Sequence, residues 1–227
     1  YVPILPLVKD GKSSTLKELL SHPAFYLSML LMICAGASEL GMSQWSSMFA
    51  EQGLQVPKVL GDLLGPGLFA LFMAIGRTIY GYFGDRIPIK GVLLGSSALC
   101  VLTYLVTIFS PNMFLALLTC SFTGFSVSLM WPGTFSLSSG VFPKGGTLMF
   151  GILAICGDIG CSLGPWLAGI ISDRVKQTGQ SLSIWMNSGL NYDQIGLRSG
   201  LLIATIFPAL MFIGLILIRK KKSPANV

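Results

Sequence analysis

Charged side chains are scarce in this sequence. They make up 11% of the 227 residues, whereas an average soluble domain has about 25%. Hydrophobic residues account for 52% of the chain, and the mean hydropathy is +0.74. Because so few charges cannot cover the surface of a water-soluble globule, the composition excludes a soluble protein and indicates an integral membrane protein.

The residues that intramembrane proteases require are also missing. A serine protease of the membrane needs a histidine base on one of its helices, and the only histidine, His22, precedes the first apolar segment. An aspartyl protease of the membrane needs two facing aspartates, and Asp158 is the only aspartate deep in an apolar segment. We therefore expect no enzyme activity and no catalytic residue.

No grouping of cysteines predicts a metal or a cofactor. All five cysteines lie in apolar segments rather than in a polar loop: Cys34, Cys100, Cys120, Cys156 and Cys161. Cysteines in such positions ordinarily act as small buried hydrophobic side chains. We expect neither a metal site nor a cofactor.

Six long apolar segments dominate the chain. A membrane-spanning helix needs about 20 mostly apolar residues, and the qualifying segments run roughly over 23–49, 59–82, 91–109, 113–141, 148–172 and 199–218. Short strands of alternating polarity are absent from the sequence, and in lipid the backbone must satisfy its own hydrogen bonds. The sequence therefore predicts an all-α membrane protein with six transmembrane helices.

Shorter polar regions flank the predicted bundle. Residues 1–22 are predicted to be a cytoplasmic linker with a short amphipathic helix, because Thr15 and Glu18 have the spacing of a capping box. Residues 23–218 form the six-helix bundle, and residues 219–227 form a basic cytoplasmic tail. Since the sequence starts with Tyr-Val-Pro rather than Met, we expect it to be a piece of a longer protein.

Lysine and arginine predict the orientation in the membrane. Six crossings place both termini on one side, which then carries Lys9, Lys12, Lys17, Arg77, Arg86, Lys90, Lys144, Arg219, Lys220, Lys221 and Lys222. The opposite side carries Lys58, Arg174, Lys176 and Arg198. Both termini are therefore predicted to be cytoplasmic. The basic tail would then lie beside anionic lipid, and the net charge of +6 is no sign of nucleic-acid binding.

A short motif occurs twice. The second apolar segment ends in the pattern G-x-x-x-D-R from Gly81 to Arg86, and the fifth ends in the same pattern from Gly169 to Arg174. Three segments separate the two copies, so one copy faces the cytoplasm and the other the opposite side. Two three-helix units of inverted topology are typical of transporters, and we predict such inverted repeats here.

Apart from Asp62 at the start of the second segment, three charged residues lie within the predicted spans: Glu39, Arg77 and Asp158. A charge inside the membrane is costly unless it faces protein or water. Glu39 and Asp158 occupy the middle parts of the first and fifth segments, so their carboxyl groups could lie at the same depth. The third and sixth segments contain no charge, which predicts that they face lipid while the other four surround a polar cavity.

Glu39 is accompanied by polar residues. Met42, Ser43 and Ser46 share its face of a helix, and Gln44 lies beside them. We interpret this face as a binding surface for a solute, with Glu39 as a proton-coupling carboxyl group or an acceptor for a solute hydroxyl. The alternative is a structural carboxyl group that is hydrogen-bonded between helices.

Two further positions are candidates for the same cavity. Asp158 lies in the sequence Cys-Gly-Asp-Ile-Gly-Cys, whose glycines favour close helix approach, so it has either a functional role or a structural polar contact. Trp131 precedes Pro132 and Gly133, which are expected to break or bend the fourth helix. Broken helices often mark binding sites, and Trp131 either stacks on a solute ring or fills the bundle. Gly164 and Pro165 predict a hinge or kink in the fifth helix.

These features together resemble the C-terminal half of a Major Facilitator Superfamily transporter, from about Leu16 to the end. The most specific element is similar to the G-x-x-x-D-R-x-G-x-K loop of that family, in which this sequence has Pro88 at a position where glycine is common. The residues that match are Gly81, Asp85, Arg86 and Lys90, and Gly76-Arg77 just upstream is also similar to the family. A weaker resemblance links the first and fourth helices to sugar–proton symporters of the fucose permease type.

The resemblance implies half of a twelve-helix fold, with helices seven to twelve in this chain. It implies a missing N-terminal half of six helices, a central cavity between the halves, and alternating access by rocking. The loop would then act as a conformational latch, formed by Gly81, Asp85, Arg86 and Lys90 together with Arg77. In this interpretation Asp85 meets a helix N-terminus of the other half, where free N–H groups favour an anion.

The predicted function is secondary active transport of a small polar, sugar-like solute across a plasma membrane, with protons as the coupling ion. Ser43, Gln44 and Ser46 near Glu39 favour a polar solute, whereas the many phenylalanines and methionines favour an alternative, the export of amphipathic compounds by proton antiport. A receptor or scaffold that has a transporter fold but does not transport is the other alternative.

Overall fold

The structure is a computed structural model that describes residues 13–54, 57–179, 185 and 189–218. Within those ranges, every regular element is helical. Six helical segments are long and apolar enough to cross a membrane: Pro23–Met48, Lys58–Phe83, Ile89–Phe109, Phe114–Val141, Gly146–Thr178 and Tyr192–Leu217. The prediction of an all-α membrane protein with six spans is confirmed. The predicted tail, 219–227, and residues 1–12 of the predicted linker lie outside the described residues.

The spans differ in how many helices build them. In chain order the helices are α1 (Leu16–Leu20), α2 (Pro23–Leu54), α3 (Lys58–Asp62), α4 (Leu68–Phe83), α5 (Ile89–Phe109), α6 (Met113–Val127), α7 (Met130–Val141), α8 (Gly146–Thr178), α9 (Tyr192–Ala204) and α10 (Ile206–Leu217). The first, third and fifth spans are the single helices α2, α5 and α8. The second span joins α3 to α4, the fourth joins α6 to α7, and the sixth joins α9 to α10.

The short helix α1 begins at the predicted capping box. The Glu18 N–H donates to the Thr15 hydroxyl at 3.4 Å, and the Thr15 N–H donates to the Glu18 carboxylate at 3.0 Å. Leu19 is buried, and the Ser14 N–H donates to the Lys144 carbonyl at 2.7 Å. The end of the linker is therefore docked on the connection between the fourth and fifth spans.

Each two-helix span contains a proline close to its break. The predicted break in the fourth span is confirmed and lies at residues 128–129, because Pro132 cannot donate to a carbonyl four residues earlier and clashes with it. Pro66 lies in a π-helical turn, Leu63–Gly67, and Pro208 follows the break at Thr205. Sequence analysis had not identified these two breaks. In contrast, α8 continues without interruption through Pro165.

The first and fifth spans touch through their backbones. A Cβ atom at Gly160 would lie 2.0 Å from the Ile33 carbonyl oxygen, and one at Gly164 would lie 2.5 Å from the Ala37 carbonyl oxygen. Gly36 lies equally close to the backbone of α8. Only glycine permits this separation, so the predicted close approach at the glycines around Asp158 is confirmed.

A line of paired polar side chains joins the third and fourth spans. The Thr107 and Thr119 hydroxyls lie 2.9 Å apart, and the Thr123 hydroxyl donates to the Thr103 hydroxyl at 3.0 Å. Cys100 and Ser126 lie next to each other about one helical turn farther along the same interface. We call these six residues the hydroxyl ladder. Its antiparallel pairs fix the register of α5 against α6.

The sixth span contains a charge, which corrects the prediction that it has none. Its first helix begins at Tyr192 rather than near Ser199, so Arg198 lies inside the span and not in an outer loop. Arg198 is only 3% exposed, and its guanidinium donates to the Ile108 carbonyl at 2.7 Å and to the Ser110 carbonyl at 3.0 Å. These carbonyls form the C-terminal end of α5, where free acceptors and the helix dipole stabilise a cation.

The two copies of the G-x-x-x-D-R motif adopt different local structures. In the first copy, α4 ends at Phe83 and a short 3₁₀ turn covers Gly84–Arg86. In the second copy, the helix continues past Asp173 and Arg174 to Thr178. The fifth helix therefore extends beyond the apolar segment that ends at the second copy. One reason is tertiary: Lys176 in the last turn of α8 pairs with Asp193 of α9 at 3.1 Å.

Candidate functional site

The two predicted intramembrane carboxylates lie close to the contact between α2 and α8. Glu39 is half-buried on α2, and Asp158 is exposed on α8. Cys161 of α8 lies within electrostatic range of both. Within the described part of the chain, neither carboxylate accepts a hydrogen bond.

The carboxylates lie at different depths. Ile33 contacts Gly160 and Ala37 contacts Gly164, so α2 and α8 run parallel and Glu39 lies level with Trp166 of α8. Asp158 precedes that level by about two helical turns, or roughly 12 Å along the axis. The expectation of a shared depth is therefore wrong. Cys161 lies between the two levels, so the acidic groups follow one another along a single side of the helix pair.

Arg77 of α4 adds a positive charge to this side. It lies within electrostatic range of Glu39, and its Nε donates to the Ser128 carbonyl at 3.1 Å. Sequence analysis had grouped Arg77 with the conformational latch near the cytoplasm. The structure instead joins it to the break in the fourth span, so it connects the second span to the candidate site.

The remaining residues of the predicted latch are not brought together in the described part of the chain. Gly81 has open space around its backbone, and Arg86 is exposed. The Lys90 ammonium group donates to the Ile218 carbonyl at the end of the sixth span. The side chain of Asp85 lies outside the described part of the structure. Lys90 therefore acts within this six-helix unit, while Gly81 and Arg86 are available to another surface.

Trp131 lies between the break in the fourth span and α8. A Cβ atom at Gly157 would lie 2.5 Å from its indole ring, and the ring packs edge-on against Phe135 with 6.2 Å between centroids. The indole N–H is buried and has no acceptor among the described residues. Since Asp158 is the next residue after Gly157, Trp131 packs on α8 directly beside Asp158.

Two of the predicted binding residues on α2 are buried inside the bundle. Met42 and Ser46 are both 0% exposed. Ser46 lies against Gly65 of the π-helical turn, and its hydroxyl donates to the Ser43 carbonyl at 2.7 Å. Ser43 is half-buried and Gln44 is exposed. The accessible part of the predicted face thus comprises Glu39, Ser43 and Gln44.

Trp166 is the residue that sequence analysis missed here. Trp166 is 59% exposed and lies level with Glu39. A tryptophan directly after Gly164 and Pro165 in an apolar segment was a usable signal. Among the described residues, no three His, Cys, Asp or Glu side chains converge as metal ligands.

Comparison with known proteins agrees with this architecture. A family model described as the Major Facilitator Superfamily matches the chain over residues 3–165 and again over residues 64–227, so the matches together extend over nearly its whole length. The chain belongs to the Major Facilitator Superfamily. Membership in this superfamily of transporters points away from an enzyme, and it establishes an integral, multi-pass membrane protein together with the six spans.

A solved structure shows the same fold. The chain is similar to a bacterial homologue of the human lysosomal transporter Spinster, whose crystal structure is inward-facing and unoccupied. The TM-score is 0.62 at 17% sequence identity, and the match covers 88% of the 227-residue chain described here. It covers 49% of the bacterial protein, so this chain spans about half the length of that relative. A search of curated proteins gave no significant match.

Proposed function

We propose that the protein is a secondary active transporter that moves a small polar, sugar-like solute together with protons by alternating access. The observation that carries this proposal is the pair of carboxylates beside the α2–α8 contact, neither of which accepts a hydrogen bond within the described residues. Ionisable groups at membrane depth are costly to maintain, and they commonly mark ion pathways and proton relays. Membership in the superfamily supports transport as the general activity.

The accessible side chains have distinct roles in this proposal. Glu39 binds and releases the coupling proton, because a carboxyl group in the membrane interior is neutral when protonated and needs a partner when charged. Ser43 and Gln44 offer hydrogen bonds to solute hydroxyls. Trp131 offers an aromatic face, and its buried indole N–H lacks an acceptor in the described chain. Asp158 lies farther along the same side of the helix pair.

A second six-helix unit completes the proposed transporter. Among the six described spans, the second and fifth are the least buried, with 22% and 28% of their apolar stretches covered. They occupy equivalent positions in the two three-helix units and carry Arg77 and Asp158. We propose that these spans face the partner unit across the solute cavity. The length of the solved relative, of which this chain matches 49%, agrees with such a partner.

The conformational latch remains part of the proposal in a reduced form. Gly81, Asp85 and Arg86 are proposed to meet a helix N-terminus of the partner unit and to stabilise one access state. Lys90 is engaged with the sixth span in its own unit. We further propose that the protein lies in a plasma membrane with both termini in the cytoplasm, in line with the distribution of lysine and arginine.

Proton-coupled export of amphipathic compounds is the second candidate. It is favoured by the apolar surface next to Asp158, where Ile155 is 61% exposed and Ile159 is 45% exposed on α8. An exporter needs an apolar lining, whereas a sugar transporter needs hydrogen-bonding groups. The two candidates therefore differ in whether the solute binds near Ser43 and Gln44 or beside the isoleucines.

Flux through the full-length protein in proteoliposomes tests the proposal. We expect an imposed proton gradient to drive the accumulation of a radiolabelled sugar, and a protonophore to abolish that accumulation in the same vesicles. Gradient-driven movement of a fluorescent amphipathic amine in place of sugars would favour the exporter. If neither class of solute moves, transport of these solutes is excluded. The 227-residue chain alone is expected to give no saturable flux.

A further inference from the structure

The carbonyl group of Ser128 is left without its ordinary helical donor. In a continuous helix it would accept from the N–H of the residue four positions later, but that residue is Pro132, which has no N–H. The helix accordingly stops at Val127 and restarts at Met130. A carbonyl at such a break needs another donor, since an unpaired backbone group in the membrane interior costs several kcal/mol.

Arg77 supplies that donor. Its Nε lies 3.1 Å from the Ser128 carbonyl oxygen. Gly76, the residue before Arg77, makes this contact possible. A Cβ atom at that position would lie 2.3 Å from the Ser128 hydroxyl oxygen. Gly76 and Arg77 together therefore hold α4 directly against the break.

The break also determines where Trp131 lies. Trp131 is the second residue of α7, and its ring covers Gly157 of α8, next to Asp158. The start of α7 thus carries the aromatic side chain to the candidate site. Any change in the geometry at Ser128 is transmitted to Trp131 over less than one helical turn.

We propose that Arg77 is a positioning residue, which holds the break in the fourth span and thereby places Trp131 for solute binding. The role in solute binding rests on the proposed function, whereas the contact with Ser128 and its effect on Trp131 do not. Arg77 also lies within electrostatic range of Glu39. The guanidinium therefore links the carboxyl group on the first span to the aromatic side chain on the fourth.

A double-mutant cycle in the full-length protein tests this role. Pro132→Ala restores an N–H for the Ser128 carbonyl, so Arg77 is no longer needed there. The readout is the ¹⁹F resonance of Trp131 in protein labelled with 5-fluorotryptophan, assigned by its loss in Trp131→Phe. We expect Arg77→Met to shift or broaden this resonance in the otherwise unchanged protein and to have no further effect in the Pro132→Ala background.

Equal effects of Arg77→Met in both backgrounds would overturn the proposal, because Arg77 would then act elsewhere. If Pro132→Ala does not fold, Arg77→Gln replaces it in the design, since its amide N–H can still donate to the carbonyl. A resonance near its original position in Arg77→Gln supports the proposal, and equal shifts in Arg77→Gln and Arg77→Met contradict it. Thr78→Val is the matched control, because the Thr78 hydroxyl is exposed and bonds only to the Ala74 carbonyl of its own helix.

Uptake kinetics separate this inference from the proposed function. Where sugar uptake is measurable, Arg77→Met should raise KM about tenfold, the loss expected for a hydrogen bond from a charged donor, with a smaller change in kcat. A protein that moves no sugar while keeping the non-additive ¹⁹F pattern would refute the function and retain the positioning role. Measurable sugar uptake together with additive ¹⁹F effects would support the function and refute the positioning role.

Discussion

The α2–α8 contact and the α5–α6 contact differ in whether their polar side chains are hydrogen-bonded. In the α5–α6 contact, the side chains of the hydroxyl ladder bond to one another across the interface at 2.9 Å and 3.0 Å. In the α2–α8 contact, glycines bring the backbones together, and the carboxylates of Glu39 and Asp158 lie at the edge without hydrogen bonds from described residues. Paired hydroxyls hold helices in register, whereas unpaired carboxylates are free to bind something else.

The largest effect on this comparison is expected from a single methyl group at the α2–α8 contact. In Gly160→Ala the new Cβ atom would lie 2.0 Å from the Ile33 carbonyl oxygen, so the two helices must separate. We expect the free energy of unfolding of the full-length protein to fall by roughly 3 kcal/mol. Thermal unfolding in detergent, followed by circular dichroism, measures this loss.

Gly151→Ala is the matched control on the same helix. No atom lies within 4 Å of a Cβ placed there, and alanine favours a helix by up to about 1 kcal/mol over glycine. We expect Gly151→Ala to be neutral or stabilising. Equal melting temperatures for the two variants would show that the close contact does not hold the first and fifth spans together.

A smaller effect is expected at the hydroxyl ladder. Thr103→Val removes one partner of the pair with Thr123, and hydrogen bonds between membrane helices contribute about 0.6 kcal/mol on average. Thr103→Val combined with Thr123→Val should cost little more than either change alone, because no buried partner is then left unpaired. Unfolding in a mixed detergent measures the coupling energy of this double-mutant cycle.

Solute uptake should be unchanged by these ladder variants. A strong loss of uptake in a Thr103→Val protein of normal stability would mean that the ladder belongs to the transport site. The contrast between structural hydroxyls and functional carboxylates would then be wrong.

The sequence predicted the fold where the signal is local. Six apolar segments predicted six spans, Thr15 and Glu18 predicted a capped helix, and Pro132 predicted a broken fourth span. Span boundaries were less predictable, because apolarity ends at a charge whereas a helix need not. Arg198 lies inside the sixth span because two carbonyl groups of the α5 C-terminus accept hydrogen bonds from it. Those hydrogen bonds form only in the folded chain.

The candidate site was predictable in composition but not in arrangement. The spacing of Glu39, Met42 and Ser46 places them on one side of α2, yet it does not reveal which part of that side another element covers. The π-helical turn at Gly65 packs on Ser46 and removes it from the surface. The link from Arg77 to Ser128 likewise depends on two helices that are far apart in sequence.

Glu39 is proposed to couple solute movement to protons, and a comparison of two carboxylate variants tests this coupling most directly. Glu39→Gln and Asp158→Asn are each reconstituted as full-length protein, and sugar uptake driven by a proton gradient is measured beside sugar exchange without a gradient. We predict that Glu39→Gln abolishes gradient-driven uptake, keeps exchange and folds normally, whereas Asp158→Asn retains a response to the gradient. Normal pH-dependent uptake by Glu39→Gln would contradict the account.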